Sequence, residues 1–210
     1  MSNPKKVFLF GYSGHAYVII ESFIAAGFSI AGYFDYHEAT TNPYQIPYFG
    51  FEGHVDIKSI VKSDLVFPSV GDNFMRVKLV SFFEKHRLNQ CVLIDPSARV
   101  SINASIGLST YVGVNAIINA QSQIGKGVII NTGAIIEHEC EINNFSHISP
   151  AVVLCGNVSV GEASFIGANS VVRNNISICD KVTTGVGSTI VKDIIQSGVY
   201  YGNPCKVQFQ

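Results

Sequence analysis

From Ile94 to Ile190 every sixth residue is aliphatic, with Thr184 the single exception, and the register never slips. A second column, two residues before each of these, holds only small or β-branched residues, from Ala98 through Cys140 to Ser188. A period of six matches neither the 3.6 of a helix nor the 2 of a lone strand. It is the hexapeptide repeat of a parallel β-helix. Each hexad supplies one short strand with its aliphatic residue inward, and the small residue lets the chain turn the corner. Three hexads close one coil, so residues eighteen apart stack at roughly 4.8 Å. The seventeen hexads make between five and six coils, and the unbroken register leaves no long loop in the body.

Residues 1–92 follow a different grammar, and residues 93–210 form the second domain. Val7–Phe10 is an apolar run ending at Gly11, the pattern of a buried parallel strand. Gly11-Tyr12-Ser13-Gly14-His15 is a glycine-rich turn opening an apolar helix through Val18, Ile19, Phe23 and Ile24, which stops at Gly27. Ile30–Phe34 is a second strand ending in Asp35, and the Pro- and Gly-bearing stretch from Tyr36 to Asp56 reads as loop with short strand pieces. Leu65-Val66-Phe67 is a third strand, with Pro68 placing it at a sheet edge or bulge. Asn73 is positioned to cap a helix with Phe74, Val77, Val80 and Phe83 on its apolar face. The expected architecture is an α/β Rossmann-like N-terminal domain followed by a parallel β-helix. A last helix is allowed only at Lys192–Gln196.

Composition narrows the function classes. The net charge of −1, with no Lys/Arg run, speaks against nucleic acid and anionic membrane as partners. No apolar stretch approaches eighteen residues, and Met1-Ser-Asn-Pro-Lys-Lys6 leads into a strand, so a cytoplasmic protein is expected. Five cysteines with no C-x-x-C fit free thiols in a reducing compartment. A hydrophobic share of 47% against 14% charged residues fits a coil that buries one flank against sister chains.

The stacking rule turns the coil into a map. Cys140 falls in the inward small column, a core position. His138 and Glu139 fall at the third and fourth places of their hexad, outward near a corner. The residues eighteen before and after His138 are Ala120 and Gly156, so the imidazole stands in a notch. An imidazole, titrating ordinarily near ~6.5, is the natural general base at neutral pH. Neighbouring side chains on a strand face opposite ways, so Glu139 can orient His138 only if the turn falls at this corner; Glu137 is the fallback. The Gly156 N–H can donate to an oxyanion forming beside His138, and base, orienter and oxyanion donor together suggest acyl transfer. The turn at Gly11–His15 can cradle a phosphate at a helix N-terminus, although Ser13 and Ala16 depart from G-x-G-x-x-G. Asp35 stands where a carboxylate accepts from a ribose or base. Asp95 and Asn103 read as turn residues only. A non-catalytic scaffold, such as an ice-binding coil or a nucleotide-sensing trimer, is the alternative class. The outward threonine ranks of an ice-binding coil are absent.

G-x-S-G-H at Gly11–His15, the strand ending in Asp35, and Asn131-Thr-Gly-Ala-Ile-Ile-Glu-His-Glu-Cys140 followed by Phe145-Ser-His147 together resemble one family. It is the sialic-acid O-acetyltransferase-like group of sugar-nucleotide acetyltransferases, nearest its bacillosamine-pathway N-acetyltransferases. The resemblance implies a left-handed coil, a homotrimer with sites between neighbouring coils, acetyl-CoA as co-substrate and no metal. It implies a UDP-linked 4-amino-4,6-dideoxy sugar as acceptor, with a GDP-linked perosamine-type sugar or a sialic-acid hydroxyl as alternatives. His138 would be the general base and Glu139 its partner. His147 and the Gly156 amide would engage the thioester, and Ala168 and Val186 the rest of the cofactor. Ser13, Gly14, His15, Asp35, Tyr36 and Gly71 would hold the nucleotide sugar. Tyr36 stands where the family carries a second acidic residue. Gly202-Asn-Pro-Cys-Lys206 replaces a G-x-P-A-K ending near the presumed adenine end, where Tyr200 and Tyr201 could stack.

Overall fold

A computed structural model of the chain describes residues 5–208, so Met1–Pro4, the lead into the first strand, lie outside it. Strand β1 (Lys6–Phe10) carries four consecutive buried residues, as a strand covered on both faces must. Helix α1 (Gly14–Ala25) follows, then β2 (Ser29–Phe34), the short α2 (Ile57–Val61), β3 (Leu65–Pro68), α3 (Asn73–His86) and β4 (Asn89–Gln90). The four strands form one parallel sheet in the order β2-β1-β3-β4. Helix α1 ends as its sequence suggests, with Gly27 at φ +83 and the Phe28 N–H returning to the Phe23 carbonyl.

Three local expectations need correction. Pro68 sits on an interior strand, but β4 pairs only with Leu65 and Val66, so the N–H that proline lacks has no partner to lose. The cap of α3 is Asp72, whose carboxylate accepts from the Met75 N–H at 2.8 Å, and Asn73 is its first helical residue. The buried face of α3 is Arg76, Leu79, Val80 and Phe83, while Phe74 is 65% exposed. The same i, i+3, i+4, i+7 spacing is present, shifted so that an arginine takes an inward place.

From Leu93 the chain winds into a parallel β-solenoid of about six turns, of the left-handed β-helix type. Its three faces are built from strands paired eighteen residues apart. Face one includes Tyr111–Val112, Ile129–Ile130, His147–Ile148 and Phe165–Ile166. Face two includes Ile117–Ile118, Ile135–Ile136 and Val153–Leu154. Face three includes Gln123–Ile124, Glu141–Ile142 and Ser159–Val160. The two columns meet inside as one continuous core running from Val112 to Ile194. Thr184, the exception, is buried because its Oγ1 accepts from the Gly167 N–H at 2.9 Å. Ile94, the first of the series, is 39% exposed, since no coil lies beneath it.

The corners have a period of their own. The third residue after each inward aliphatic, from Ser109 through Asn115, Glu139 and Asn157 to Gly187, adopts a left-handed backbone with φ between +54 and +68. Past Ile190 the pattern stops without a helix at Lys192–Gln196. Ile194 instead bridges Ile178, and strands Gly198–Tyr201 and Lys206–Val207 cover the upper end of face one.

The first domain packs on the lower part of face one, where Leu93, Tyr111 and Ile129 join its core. Two polar seams hold the contact. Ser22 of α1 donates to the buried Asp95 at 2.6 Å and meets the Tyr111 hydroxyl at 3.0 Å, so Asp95 is more than a turn residue. The second seam is Arg76, whose side chain is fully buried with no carboxylate bonded to it among the described residues. Its Nε donates to the Gly127 carbonyl at 2.7 Å and its Nη1 to the Gly71 carbonyl at 2.8 Å. Its Nη2 reaches the Phe145 carbonyl and Asn73 Oδ1, both at 2.8 Å. Asn73 Nδ2 in turn donates to the Ala163 carbonyl at 2.9 Å. Burial pulls the guanidinium down to about 9, with the Asp72 charge opposing, which leaves it charged at neutral pH.

Candidate active site

His138 stands on the corner between faces two and three, two residues past the strand Ile135–Ile136. Glu139 occupies the left-handed position of that corner, at φ +60. That conformation is uncommon for a residue with a Cβ. It swings the carboxylate to the same side as its neighbour, and Glu139 Oε2 lies 3.0 Å from His138 Nδ1. The carboxylate therefore selects the tautomer protonated on Nδ1 and leaves Nε2 as the acceptor. Glu137, the fallback, is engaged elsewhere and accepts from Asn119 Nδ2 at 3.0 Å.

The imidazole lies over Gly156. A Cβ built there would fall 2.5 Å from Cε1 and 2.6 Å from Nε2 of His138. Only glycine leaves room for the ring in this place. Among the described residues nothing accepts from the Gly156 N–H. Cys140 is buried, with its Sγ directed at the Cys155 carbonyl, and has no access to this notch.

His147, Ala168 and Val186 come together in a cleft of about 460 Å³ on the upper part of face one, with Phe165 and Asn131. That size falls within the ~300–1,000 Å³ of ligand clefts. Val186 is 77% exposed at its rim. Both nitrogens of His147 are engaged: Asn131 Nδ2 lies 3.1 Å from Nε2, and Nδ1 lies 3.3 Å from the Gly71 carbonyl. The ring is thus neutral with its proton on Nδ1, and Asn131 keeps one amide hydrogen free. The sequence placed Asn131 in its most specific motif without giving it a role, and Arg76 went unremarked. An amide two places before an αL corner glycine, and an arginine at an inward helical position, were the available signals.

The turn Gly11–His15 links β1 to α1 and sets His15 beside Tyr111 and His147 of the solenoid. Ser13 precedes α1 in an extended conformation without a side-chain cap, and no acidic residue occupies the first helical turn. The first N–H groups of α1 are therefore open to an anion. Asp35 accepts from the Tyr12 N–H at 2.9 Å and the Tyr36 N–H at 2.7 Å, which fixes the carboxylate at the end of β2. His15 turns inward, its ring centroid 6.4 Å from that of His147. Gly71 lies at the junction, its carbonyl shared by Arg76 and His147. Within one chain, His138, Glu139 and Gly156 share a corner. His147, Ala168 and Val186 lie on the face opposite it.

Burial is the main cause that lowers both inner histidines, with the Arg76 charge adding: His147 to about 3 and His15 to about 4. Both values lie below the ~6.5 of an unfolded imidazole. The fold therefore favours the neutral rings. Stability from them is complete above pH ~6.5 and is lost as pH falls towards the folded values, because the unfolded chain takes up protons that the fold refuses. We expect the unfolding free energy to drop by about 2–4 kcal/mol between pH 6.5 and 4.5, and a His15→Gln, His147→Gln variant to flatten that slope. A wild-type profile flat over this range would contradict buried neutral rings.

Comparison with known proteins supplies the family. The model of the PglD N-terminal domain matches residues 6–83. PerB from Caulobacter crescentus, solved in complex with CoA and GDP-perosamine, is 33% identical with a TM-score of 0.91, covering 97% of each chain. The acetyltransferase domain of PglB from Neisseria gonorrhoeae is 30% identical over 97% of this chain and 100% of its own, with a TM-score of 0.91. This chain belongs to the hexapeptide-repeat sugar N-acetyltransferases. It is an acetyltransferase. WeeI from Acinetobacter baumannii, 18% identical with a TM-score of 0.84 over 97% of this chain and 100% of its own, shares the fold. Among the described residues no helix is long and apolar enough to cross a membrane, and no cluster of His, Cys, Asp or Glu is placed to hold a metal.

Proposed function

We propose that this acetyltransferase moves an acetyl group from acetyl-CoA to the 4-amino group of a nucleotide-linked 4-amino-4,6-dideoxy sugar. The observation that carries the reading is the His138–Glu139 pair held over Gly156. The sugar reacts as its free amine, and His138 Nε2 takes one proton from that nitrogen as it attacks. The amine nitrogen bonds to the thioester carbon, and the carbonyl electrons move onto oxygen, which the Gly156 N–H meets. Collapse re-forms the carbonyl and breaks the carbon–sulfur bond, and the proton on His138 passes to the departing CoA sulfur. Glu139 steadies the imidazolium between the two transfers.

The cleft of His147, Ala168 and Val186 takes the pantetheine arm, and the free Asn131 amide hydrogen donates to the thioester region. Since that cleft faces away from His138 within one chain, a neighbouring copy brings its own base to the thioester. This supports a homotrimer of coils packed side by side. Ser13 and Gly14 hold the diphosphate on the open end of α1. Asp35 and Tyr36 face the nucleoside, and His15 and Gly71 the sugar. Acetyl-CoA and free thiols are at home in the cytoplasm, the compartment proposed here. The sequence resemblance leads to a UDP-linked, bacillosamine-type acceptor. The identity to a protein solved with GDP-perosamine favours the GDP-linked alternative. Thiol release from acetyl-CoA, measured across GDP- and UDP-linked 4-amino sugars and sialic acid, tests the reading. Release is expected with an amino sugar, and silence across the whole panel would overturn it.

A further inference from the structure

The pocket at the carboxyl ends of β1 and β2 has two chemically different ends. One is the Gly11–Ser13 turn with the open amides of α1. The other is lined by Asp35, Tyr36 and Glu52. Tyr36, 59% exposed, stacks on Phe51 with ring centroids 4.1 Å apart at 18°, which leaves a flat aromatic face beside the two carboxylates. Glu52 is half-buried, and neither carboxylate forms a salt bridge among the described residues. Burial raises the Glu52 carboxyl above its ordinary range, its own backbone N–H opposes that rise, and the nearby Asp35 charge adds to it. Each Asp35 oxygen already accepts one backbone N–H, so both keep further acceptor capacity.

We propose that the acceptor's nucleobase is guanine, held against Tyr36 with its N1–H and 2-amino group donated to the Glu52 carboxylate. This rests on the reading of a nucleotide-linked acceptor and names its base. An ionised carboxylate only accepts hydrogen bonds, and two of them in one pocket without a cation require a ligand edge rich in donors. Guanine presents two adjacent donors on its Watson–Crick edge, spaced to meet both oxygens of one carboxylate. Uracil presents a single N3–H between two carbonyl oxygens, so one of these would face a carboxylate oxygen across the same contact. Adenine and cytosine set a ring acceptor beside their amine and suffer the same conflict. The stacked pair adds preference for the larger purine face. Tyr36, exposed on its outer side, supplies that face.

Calorimetric titration of GDP, UDP and inosine diphosphate into wild type and Glu52→Gln tests the assignment. Wild type is expected to bind GDP about tenfold or more tightly than UDP, the discrimination typical of one bidentate contact. Inosine diphosphate, which lacks the 2-amino group, should fall between them. In Glu52→Gln the GDP affinity should drop about tenfold, UDP should change less than about twofold, and the gap between GDP and inosine diphosphate should close. UDP binding as tightly as GDP to wild type would overturn the proposal. So would equal losses for GDP and UDP in the variant, which would place the carboxylate on the shared ribose. The wild-type comparison stands even if the variant fails to fold. Thiol release separates the two readings. Turnover of UDP-linked amino sugars alone overturns the base and keeps the reaction. Tight GDP binding with no turnover of any amino sugar overturns the reaction and keeps the base.

Discussion

Replacing His138 by alanine is expected to lower kcat about a thousandfold while leaving acetyl-CoA binding within about twofold of wild type. The estimate follows from the ~10²–10⁴ that a positioned general base contributes. It also follows from geometry, since the pantetheine cleft is lined by His147, Ala168 and Val186 and the imidazole is not part of its wall. Steady-state thiol release and a separate CoA titration check the two halves of this statement. An unchanged kcat would remove His138 from the mechanism. Gly156→Ala approaches the same point from the other side. Its Cβ would fall 2.5 Å from the imidazole, so the ring must leave its place over residue 156. The expected loss is about ten- to a hundredfold in kcat with the fold intact, because the base is moved and not removed.

The second large effect belongs to Arg76. Its replacement by alanine is expected to cost about 3–5 kcal/mol of stability, because several buried carbonyls would lose a charged donor and a void would open between the domains. For a chain of this size that corresponds to a fall of roughly 10 °C or more in Tm. Arg76→Lys should recover little, since one ammonium cannot reach carbonyls at Gly127, Gly71 and Phe145 together. Thermal melts of both variants check it. A Tm within about 2 °C of wild type for Arg76→Ala would show that the apolar contacts of Leu93, Tyr111 and Ile129 hold the domains alone.

Much of the fold was legible because a solenoid repeats one local decision many times. An inward aliphatic residue every six positions admits no other register, so the burial of Cys140 and the outward course of His138 followed directly. The pairing of His138 with Glu139 was conditional on where the corner fell, and the left-handed backbone at Glu139 meets that condition. The corner period could also have been read: asparagine and glycine recur at that place, as at Asn115, Gly127, Gly133 and Asn157. What stayed hidden was the seam between the domains. Arg76 sits on a helix whose apolar residues alone suggest a different inward face, and its partners are backbone carbonyls, which no side-chain pattern announces. Asp95 was hidden in the same way, since its partner Ser22 lies in the other domain.

The Arg76 guanidinium touches the carbonyls of Gly127 and Phe145, residues that lie one above the other in successive turns. It therefore gauges the height of a single turn and ties the first domain to that step of the staircase. Whole turns could be added above residue 186 over evolutionary time without disturbing this anchor. Descendants built that way would lengthen the cleft for the acyl donor while the sugar arrives at the same step. In such a design the reach of one substrate and the placement of the other are free to diverge independently.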